Sequence, residues 1–226
     1  MHTQAVEDYL KAVYELQKRS DKVTTSAVAD ELEVAPASAT NMLKKLSEMK
    51  LVTHEPYRGV TLTEAGRKVA LEVIRHHRLI ETYLAEALGV PWDQVHEEAE
   101  KWEHILSEDL EDRMDEKLGY PTRDPHGSPI PSRDGTVPDA QSVGLDSLNE
   151  GQSATITEVD DRNPELLRYL GTLGLYPEAR ITVVALAPFS GPITLVVDGQ
   201  EHALGREAAQ HIQVNEVEPT SVSIAS

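Results

Sequence analysis

Apolar residues recur at helical spacing from the start of the chain. Val6, Leu10, Val13 and Leu16 within AVEDYLKAVYELQK (residues 5–18) form one stripe and predict an amphipathic helix. TTSAVADELEV continues the period with Ala27, Val28 and Leu32 inward, and Thr25 or Ser26 available as the N-cap. In APASATNMLKKLSEMKLV, Pro36 suits the first turn of a third helix whose inner face carries Met42, Leu43 and Leu46. Two short helices joined tightly, the second bearing Ser38, Thr40, Asn41, Lys44 and Lys45, predict a helix-turn-helix. Leu51-Val52-Thr53 and Val60-Thr61-Leu62 are strand-like, with Arg58-Gly59 between them, and predict a small hairpin or wing. Thr63 then caps a helix running through Gly66 to about Leu88, where Leu88-Gly89-Val90-Pro91 ends it. A further, acidic helix is expected from Trp92 to about Leu118.

Residues 120–144, YPTRDPHGSPIPSRDGTVPDAQSVG, are rich in Pro, Gly and Ser and predict a linker or irregular connection. Beyond them QSATITEV, ARITVVALA, PITLVVDG and HIQVNEV are rich in β-branched residues and divided by Gly and Pro. A small antiparallel barrel with one short helix, NPELLRYLGTLG, is the simplest account. The fold class expected is mostly α with a small all-β C-terminal domain. No internal repeat is visible, and PTSVSIAS at the end is expected to be a tail.

Composition narrows this picture. At 226 residues, 39% hydrophobic and 27% charged, the chain suits one large or two small folded, soluble domains. With aromatics at 4% and one Phe, packing must rest on Leu, Val, Ile and Ala. No apolar run approaches the ~20 residues of a membrane span, and MHTQAVEDYL lacks the basic and apolar regions of a secretory signal. A cytoplasmic protein with no membrane partner is expected. The chain has no cysteine, which excludes disulfides, thiolate zinc sites and iron–sulfur ligation, so any metal must be held by imidazole and oxygen. The net charge of −18 argues, taken alone, against nucleic acid. The acid is dense from Pro91 to Tyr120, however, and the first sixty residues are close to balanced, so a local DNA-binding face is allowed.

The stretch VHEEAEKWEHILSEDL carries the candidate chemistry. On a helix, His96, Glu100, Glu103 and His104 fall at about 0°, 40°, −20° and 80°, on one face. Val95, Ala99, Trp102 and Leu106 form an adjoining apolar stripe. Acidic neighbours at such spacings repel by ~0.2–0.5 kcal/mol per pair, which a solvated charged face tolerates and a bound cation relieves. Two catalytic metal motifs fail here. His96-Glu97 begins H-E-x-x-H, but the fifth position is Glu100, and the residues three before His104 and His96 are Lys101 and Asp93, not Glu. In VIRHHRLIETYL, His77 and Glu81 sit at i and i+4 on the preceding helix and, across an antiparallel helix pair, would face His96.

The order of EDYLKAVYEL, helix-turn-helix, wing, RHHRLIE, VHEEAEKWEHILS, DPHGSPIP and barrel resembles the diphtheria-toxin-repressor family of metal-dependent transcription regulators over almost the whole chain. LLRYLGTLGLYPEARITVV resembles the SH3-like FeoA domain of its longer members. The resemblance implies a winged helix-turn-helix DNA-binding domain at 1–64 and a helical metal-binding and dimerisation domain at 65–140, ending in the Pro-rich linker. A FeoA domain at 145–217 and a tail at 218–226 follow. It implies a primary metal site of Asp8, Glu100, Glu103 and His104, aided by the Glu100 carbonyl. A second site would use His77, Glu81 and His96, with Asp160 or Asp161 added from the barrel. Iron-type members carry Cys or Met where this chain has Glu100 and Asp8, and carboxylates there move preference toward Mn²⁺ while still accepting Fe²⁺. Zn²⁺, Co²⁺ or Cd²⁺ would also bind such a set in vitro. Lys11 stands where short manganese-type members place a bridging Glu, which argues against their closely paired two-metal site.

The same resemblance implies a repressor of metal-uptake genes, acting as a homodimer on a palindromic double-stranded DNA operator, with no substrate beyond metal ions and no enzymatic role. Lys44, Lys45 and Arg58 would contact phosphates, and Ser38, Thr40 and Asn41 would reach base edges or phosphate. Dimer contacts would use Leu84, Leu88, Ile105 and Leu110. Three other readings stay open on the residues alone: a metal-dependent hydrolase with an accessory winged helix, a metal-independent winged-helix regulator, and a metal-storage or interaction protein.

Overall fold

The computed structural model describes residues 2–55, 59–138 and 141–219. Arg58 and the tail residues 220–226 lie outside these ranges. The first expected stripe folds as α1 (Gln4–Arg19), with Val6, Leu10 and Val13 buried. α2 (Thr25–Glu31) starts on the first of its two expected cap residues. Thr24, rather than Thr25 or Ser26, is the N-cap, its hydroxyl accepting from the Ala27 N–H at 3.1 Å. α3 (Pro36–Glu48) begins at Pro36, whose missing N–H falls where a helix has no internal partner to offer. β1 (Val52–Glu55) and β2 (Gly59–Leu62) pair antiparallel, from Val52↔Leu62 to Glu55↔Gly59. Leu10, Val13, Leu43 and Leu46 share one core with Leu71 and Ile74 of α4 (Glu64–Leu88). Each such burial stabilises by about 1.5–3 kcal/mol. Thr63 caps α4, accepting from the Gly66 N–H at 3.1 Å and donating to the Lys50 carbonyl at 2.8 Å.

The acidic segment departs from expectation. It is not one helix but α5 (Val95–Trp102) and α6 (Glu108–Lys117), with a turn between them. Ser107 explains the break: its carbonyl accepts from the Leu110 and Glu111 N–H groups, and its hydroxyl from Leu110 at 3.4 Å. Glu108, Asp109 and Glu111 then place negative charge at the positive end of α6. Trp102 is 39% exposed, so the expected apolar stripe does not extend beyond Ala99.

The Pro-rich stretch also differs from a linker over residues 120–130. Asp124, His126, Ser128 and Ile130 are buried. The Asp124 carboxylate accepts from the N–H groups of His126 (2.8 Å) and Ser128 (3.0 Å), and Ile130 N–H donates to the Thr122 carbonyl. Polar side chains thus satisfy a backbone that lacks regular structure, which makes burial tolerable. Gly127 has φ +88°, and a Cβ there would lie 2.0 Å from the Thr157 carbonyl oxygen.

The C-terminal part is a six-stranded antiparallel sheet of order β3-β8-β4-β5-β6-β7. Its strands are β3 (Val143–Gly144), β4 (Gln152–Val159), β5 (Arg180–Leu186), β6 (Ile193–Val197), β7 (Gln200–Leu204) and β8 (Ile212–Pro219). α7 (Pro164–Thr172), capped by Asn163, buries Leu167 and Leu170 against Ile156, Ile181 and Leu195. The expected four strands and one helix are joined by β3, β7 and the short α8 (Arg206–Ala209). Asp198-Gly199, both at positive φ, form the two-residue turn between β6 and β7. Among the described residues no helix is long and apolar enough to cross a membrane.

The chain divides into two compact units. The first comprises Met1–His77, Glu100–Arg113 and Pro131–Val137; the second comprises Arg78–Ala99, Met114–Ile130 and Pro138–Ser226. Within the first, α6 is tied to α4 by a buried ionic cluster. Arg75 Nε donates to Glu111 at 2.5 Å, and His76 Nε2 lies 3.5 Å from the same carboxylate. Burial works against the Glu111 charge, but His76 and Arg75 outweigh it and lower its pKa to about 2. A depressed carboxylate stabilises the fold above its unfolded pKa near 4.3 and loses that contribution as pH falls through about 2. His76 is shifted up, so its contribution is present below ~6.5 and is lost only as pH rises through its folded value. Glu111→Gln is therefore expected to cost on the order of 2–3 kcal/mol at pH 6 and much less at pH 2. Urea unfolding at the two pH values checks this, and an equal cost at both would sink it.

Candidate metal centre

Four elements of the first unit converge on one cluster. α1 presents Glu7, Asp8 and Lys11, spaced so that they share a face. α4 presents His77, and the last turn of α5 presents Glu100. The chain then leaves the helix, with Ile105 N–H bonding back to the Trp102 carbonyl, so Glu103 and His104 lie in a turn and not on the continuous helix expected.

His104 Nε2 lies 2.7 Å from Asp8 Oδ1 and 3.3 Å from Glu103 Oε1. Its other nitrogen, Nδ1, donates to Glu7 Oε2 at 2.7 Å, which places the ring proton there and turns the Nε2 lone pair toward the two carboxylates. Neither Nε2 nor Glu103 Oε1, both buried, makes a hydrogen bond. Three lone-pair atoms thus gather without a donor between them, the arrangement a divalent cation satisfies. The donor set, two carboxylates and an imidazole, fits Mn²⁺ or Fe²⁺. Burial raises the Asp8 pKa, His104 opposes this, and Glu103 and Glu100 add to it by repulsion.

Glu103 uses its second oxygen differently. Oε2 accepts from Lys11 Nζ at 2.7 Å and closely approaches His77 Nδ1. Lys11 also donates to Glu100 Oε1 at 2.7 Å and reaches His77 Nδ1 at 3.1 Å. Burial would raise the Glu103 pKa, but His77 and Lys11 outweigh it and hold Glu103 ionised. Of the expected primary set, Asp8, Glu103 and His104 therefore stand together, while Glu100 is turned to Lys11 and His77.

A second cluster lies in the second unit. Glu81 accepts from His96 Nδ1 at 3.2 Å, and Asp161 lies 3.6 Å from the same nitrogen. Asp160, the other barrel candidate, points instead to Arg162 and to His211 at 3.2 Å. Two residues that sequence reasoning missed complete this cluster. His126 Nε2 donates to the Trp92 carbonyl at 2.7 Å, leaving buried Nδ1 with no hydrogen bond, 3.7 Å from Glu81 and 3.9 Å from Asp161. Asp124 Oδ2 is likewise buried without a hydrogen bond, 3.6 Å from Arg78. Burial raises the Asp124 pKa, and Glu81 adds to it, to about 7. For His96 and His126 burial opposes the charge, but Asp161 and Glu81 raise His96 to about 10, and Glu81 with Asp124 raises His126 to about 9. The imidazoles beside these carboxylates offset their mutual repulsion, and a divalent ion would take over that role.

On α3, Ser38, Asn41, Lys44 and Lys45 are exposed. The Thr40 hydroxyl donates to the Pro36 carbonyl at 2.8 Å, within its own helix. Of the expected dimer residues, Leu84 is only 3% exposed within the single chain, whereas Leu88, Ile105 and Leu110 are 57%, 79% and 45% exposed.

Three family models match the chain. They are the iron-dependent repressor N-terminal DNA-binding domain at residues 1–60, its metal-binding and dimerisation domain at 63–132, and the FeoA domain at 143–216. The iron-dependent repressor IdeR of Mycobacterium tuberculosis is 33% identical over 224 residues, covering 93% of this chain and 96% of its own. A manganese-dependent transcriptional repressor in complex with manganese superposes with TM-score 0.87 at 41% identity, covering 92% of this chain and 98% of that one. ScaR with bound Cd²⁺ gives 0.80 at 36%, covering 93% and 98%. The chain therefore belongs to the diphtheria-toxin-repressor family of metal-dependent DNA-binding repressors, in the form that carries a FeoA domain.

Proposed function

We propose that this chain represses metal-uptake genes in the cytoplasm, binding a palindromic operator as a homodimer when Mn²⁺ is held by Asp8, Glu103 and His104. The carrying observation is the His104 Nε2 lone pair facing two carboxylates with no donor between them. A divalent ion there supplies the positive charge that these three atoms lack. Asp8 belongs to α1, whose inner face packs in the same core as α3, while Glu103 and His104 come from the turn after α5. Holding them together fixes α1, and with it α3, in one arrangement. Lys44 and Lys45 on α3 then meet phosphates, and Ser38 and Asn41 reach base edges. Arg58 adds a phosphate contact. Leu88, Ile105 and Leu110, exposed on the single chain, supply dimer contacts. Glu81, His96 and Asp161, with His126 and Asp124, form the second metal site. We assign DNA binding to residues 1–64, metal binding and dimerisation to 65–140 and FeoA-type support to 145–217.

The absence of sulfur favours Mn²⁺. Fe²⁺ is the competing reading, since the IdeR relative is named iron-dependent. Fluorescence anisotropy on DNA upstream of the chain's own gene, in chelator and then with Mn²⁺, anaerobic Fe²⁺ or Zn²⁺ at fixed salt, separates the readings. The expected result is a 5–150-fold gain with Mn²⁺, the range of a ~1–3 kcal/mol coupling. Equal binding in chelator would remove metal gating, and a gain with Fe²⁺ alone would reassign the metal.

A further inference from the structure

Beside Asp8, Glu103 and His104 lies a second group of ligand atoms. His77, Glu100 and Glu103 each offer one, all within 4.8 Å of one another, and Glu103 is common to both groups. The two oxygens of Glu103 serve two positions: Oε1 faces His104, and Oε2 faces His77 and Lys11. The Lys11 ammonium fills the second position. It donates to Glu100 Oε1 and to Glu103 Oε2, both at 2.7 Å, and lies 3.1 Å from His77 Nδ1. Atoms that repel or compete when alone, two carboxylate oxygens and an imidazole nitrogen, converge there on one cation.

We propose that Lys11 is the resident cation of a second metal position, so that this cluster takes one divalent ion where its ligands would hold two. The proposal rests on the reading of Asp8, Glu103 and His104 as a metal site. A divalent ion entering the second position must displace the ammonium and then sit beside the first ion with Glu103 bridging. Because Lys11 is covalently attached and two of its partners, His77 and Glu103, are buried, it competes at a high effective concentration. An ordinary structural ion pair makes a different prediction: its loss changes stability and leaves the number of bound ions unchanged.

The test counts Mn²⁺ ions on the full chain by the loss of the free-ion electron paramagnetic resonance signal. Wild type, Asp8→Ala, Lys11→Ala, Lys11→Met and Lys11→Glu are titrated with Mn²⁺ alone, and circular dichroism reports whether each is folded. Lys11→Ala and Lys11→Met are expected to take up one more equivalent per chain than wild type. The added ion should give a spin-coupled spectrum, because it shares Glu103 with its neighbour. Lys11→Glu, which adds a carboxylate, should bind the extra ion more tightly. If Asp8→Ala loses one equivalent but no folded Lys11 variant gains one, this inference falls and the metal-site reading stands. If Asp8→Ala loses none, that reading fails and takes the inference with it. A coupled pair in wild type would also overturn it. Should Lys11→Ala unfold, the longer Lys11→Met and the charged Lys11→Glu decide.

Discussion

His104→Ala is expected to erase the metal response of operator binding, leaving the same weak affinity in chelator and in Mn²⁺. His104 supplies the one imidazole in a set otherwise made of carboxylates, and its Nε2 lies 2.7 Å from Asp8 Oδ1. Glu7 fixes the ring by accepting from Nδ1, so the lone pair has one direction to point. Removing the imidazole leaves Asp8 and Glu103 on separate elements with nothing to join them but a cation held by two oxygens. The coupling between α1 and the turn after α5 then falls from ~1–3 kcal/mol to nearly zero. Asp8→Ala should behave alike, because it removes the only ligand on α1. Neither residue belongs to the apolar core, so both variants should stay folded in chelator by circular dichroism. Anisotropy titrations that still respond to Mn²⁺ in both variants would refute this site.

The second large effect is structural. Gly127→Ala should destabilise the second unit by roughly 2–6 kcal/mol, combining left-handed strain of about 1–3 with overpacking of about 1–3. The position has φ +88°, and its Cβ would stand 2.0 Å from the Thr157 carbonyl oxygen, a backbone atom that cannot rotate aside. The same contact region includes the bond from Val159 N–H to the His126 carbonyl at 2.8 Å. Displacing it also moves His126 and Asp124, so metal uptake by the second cluster should fall along with the unfolding midpoint. An unfolding free energy within ~0.5 kcal/mol of wild type would show that the backbone yields more easily than this geometry allows.

These two sites differ in how far they can be read from residues alone. The helix-turn-helix and the hairpin follow the apolar period closely, because each buries one face against a single core. Helical spacing puts Glu103 and His104 on one face, yet they adjoin because the helix stops at Trp102; Ser107, a cap signal within the acidic run, marks the stop. Asp124 and His126 were illegible. Pro and Gly around them read as solvated loop, and their burial depends on β4, some thirty residues away, and on Trp92. Glu7 offers no pattern beyond adjacency to Asp8. Lys11 stands out in the sequence as a departure, but its three partners come from α4, α5 and the following turn, and only the folded chain brings them to one point.

The lack of sulfur around either cluster has a consequence for oxidative stress. The chain has no cysteine and four methionines, and every side chain placed in the two clusters ends in nitrogen or oxygen. None of them can climb from thiolate through sulfenic to sulfinic acid, and none forms a sulfoxide. Peroxide therefore finds no thiol or thioether to attack among the ligands of either cluster. The metal-free chain keeps its sensing residues intact through an oxidative burst and can take up a fresh ion without any reductase to restore it.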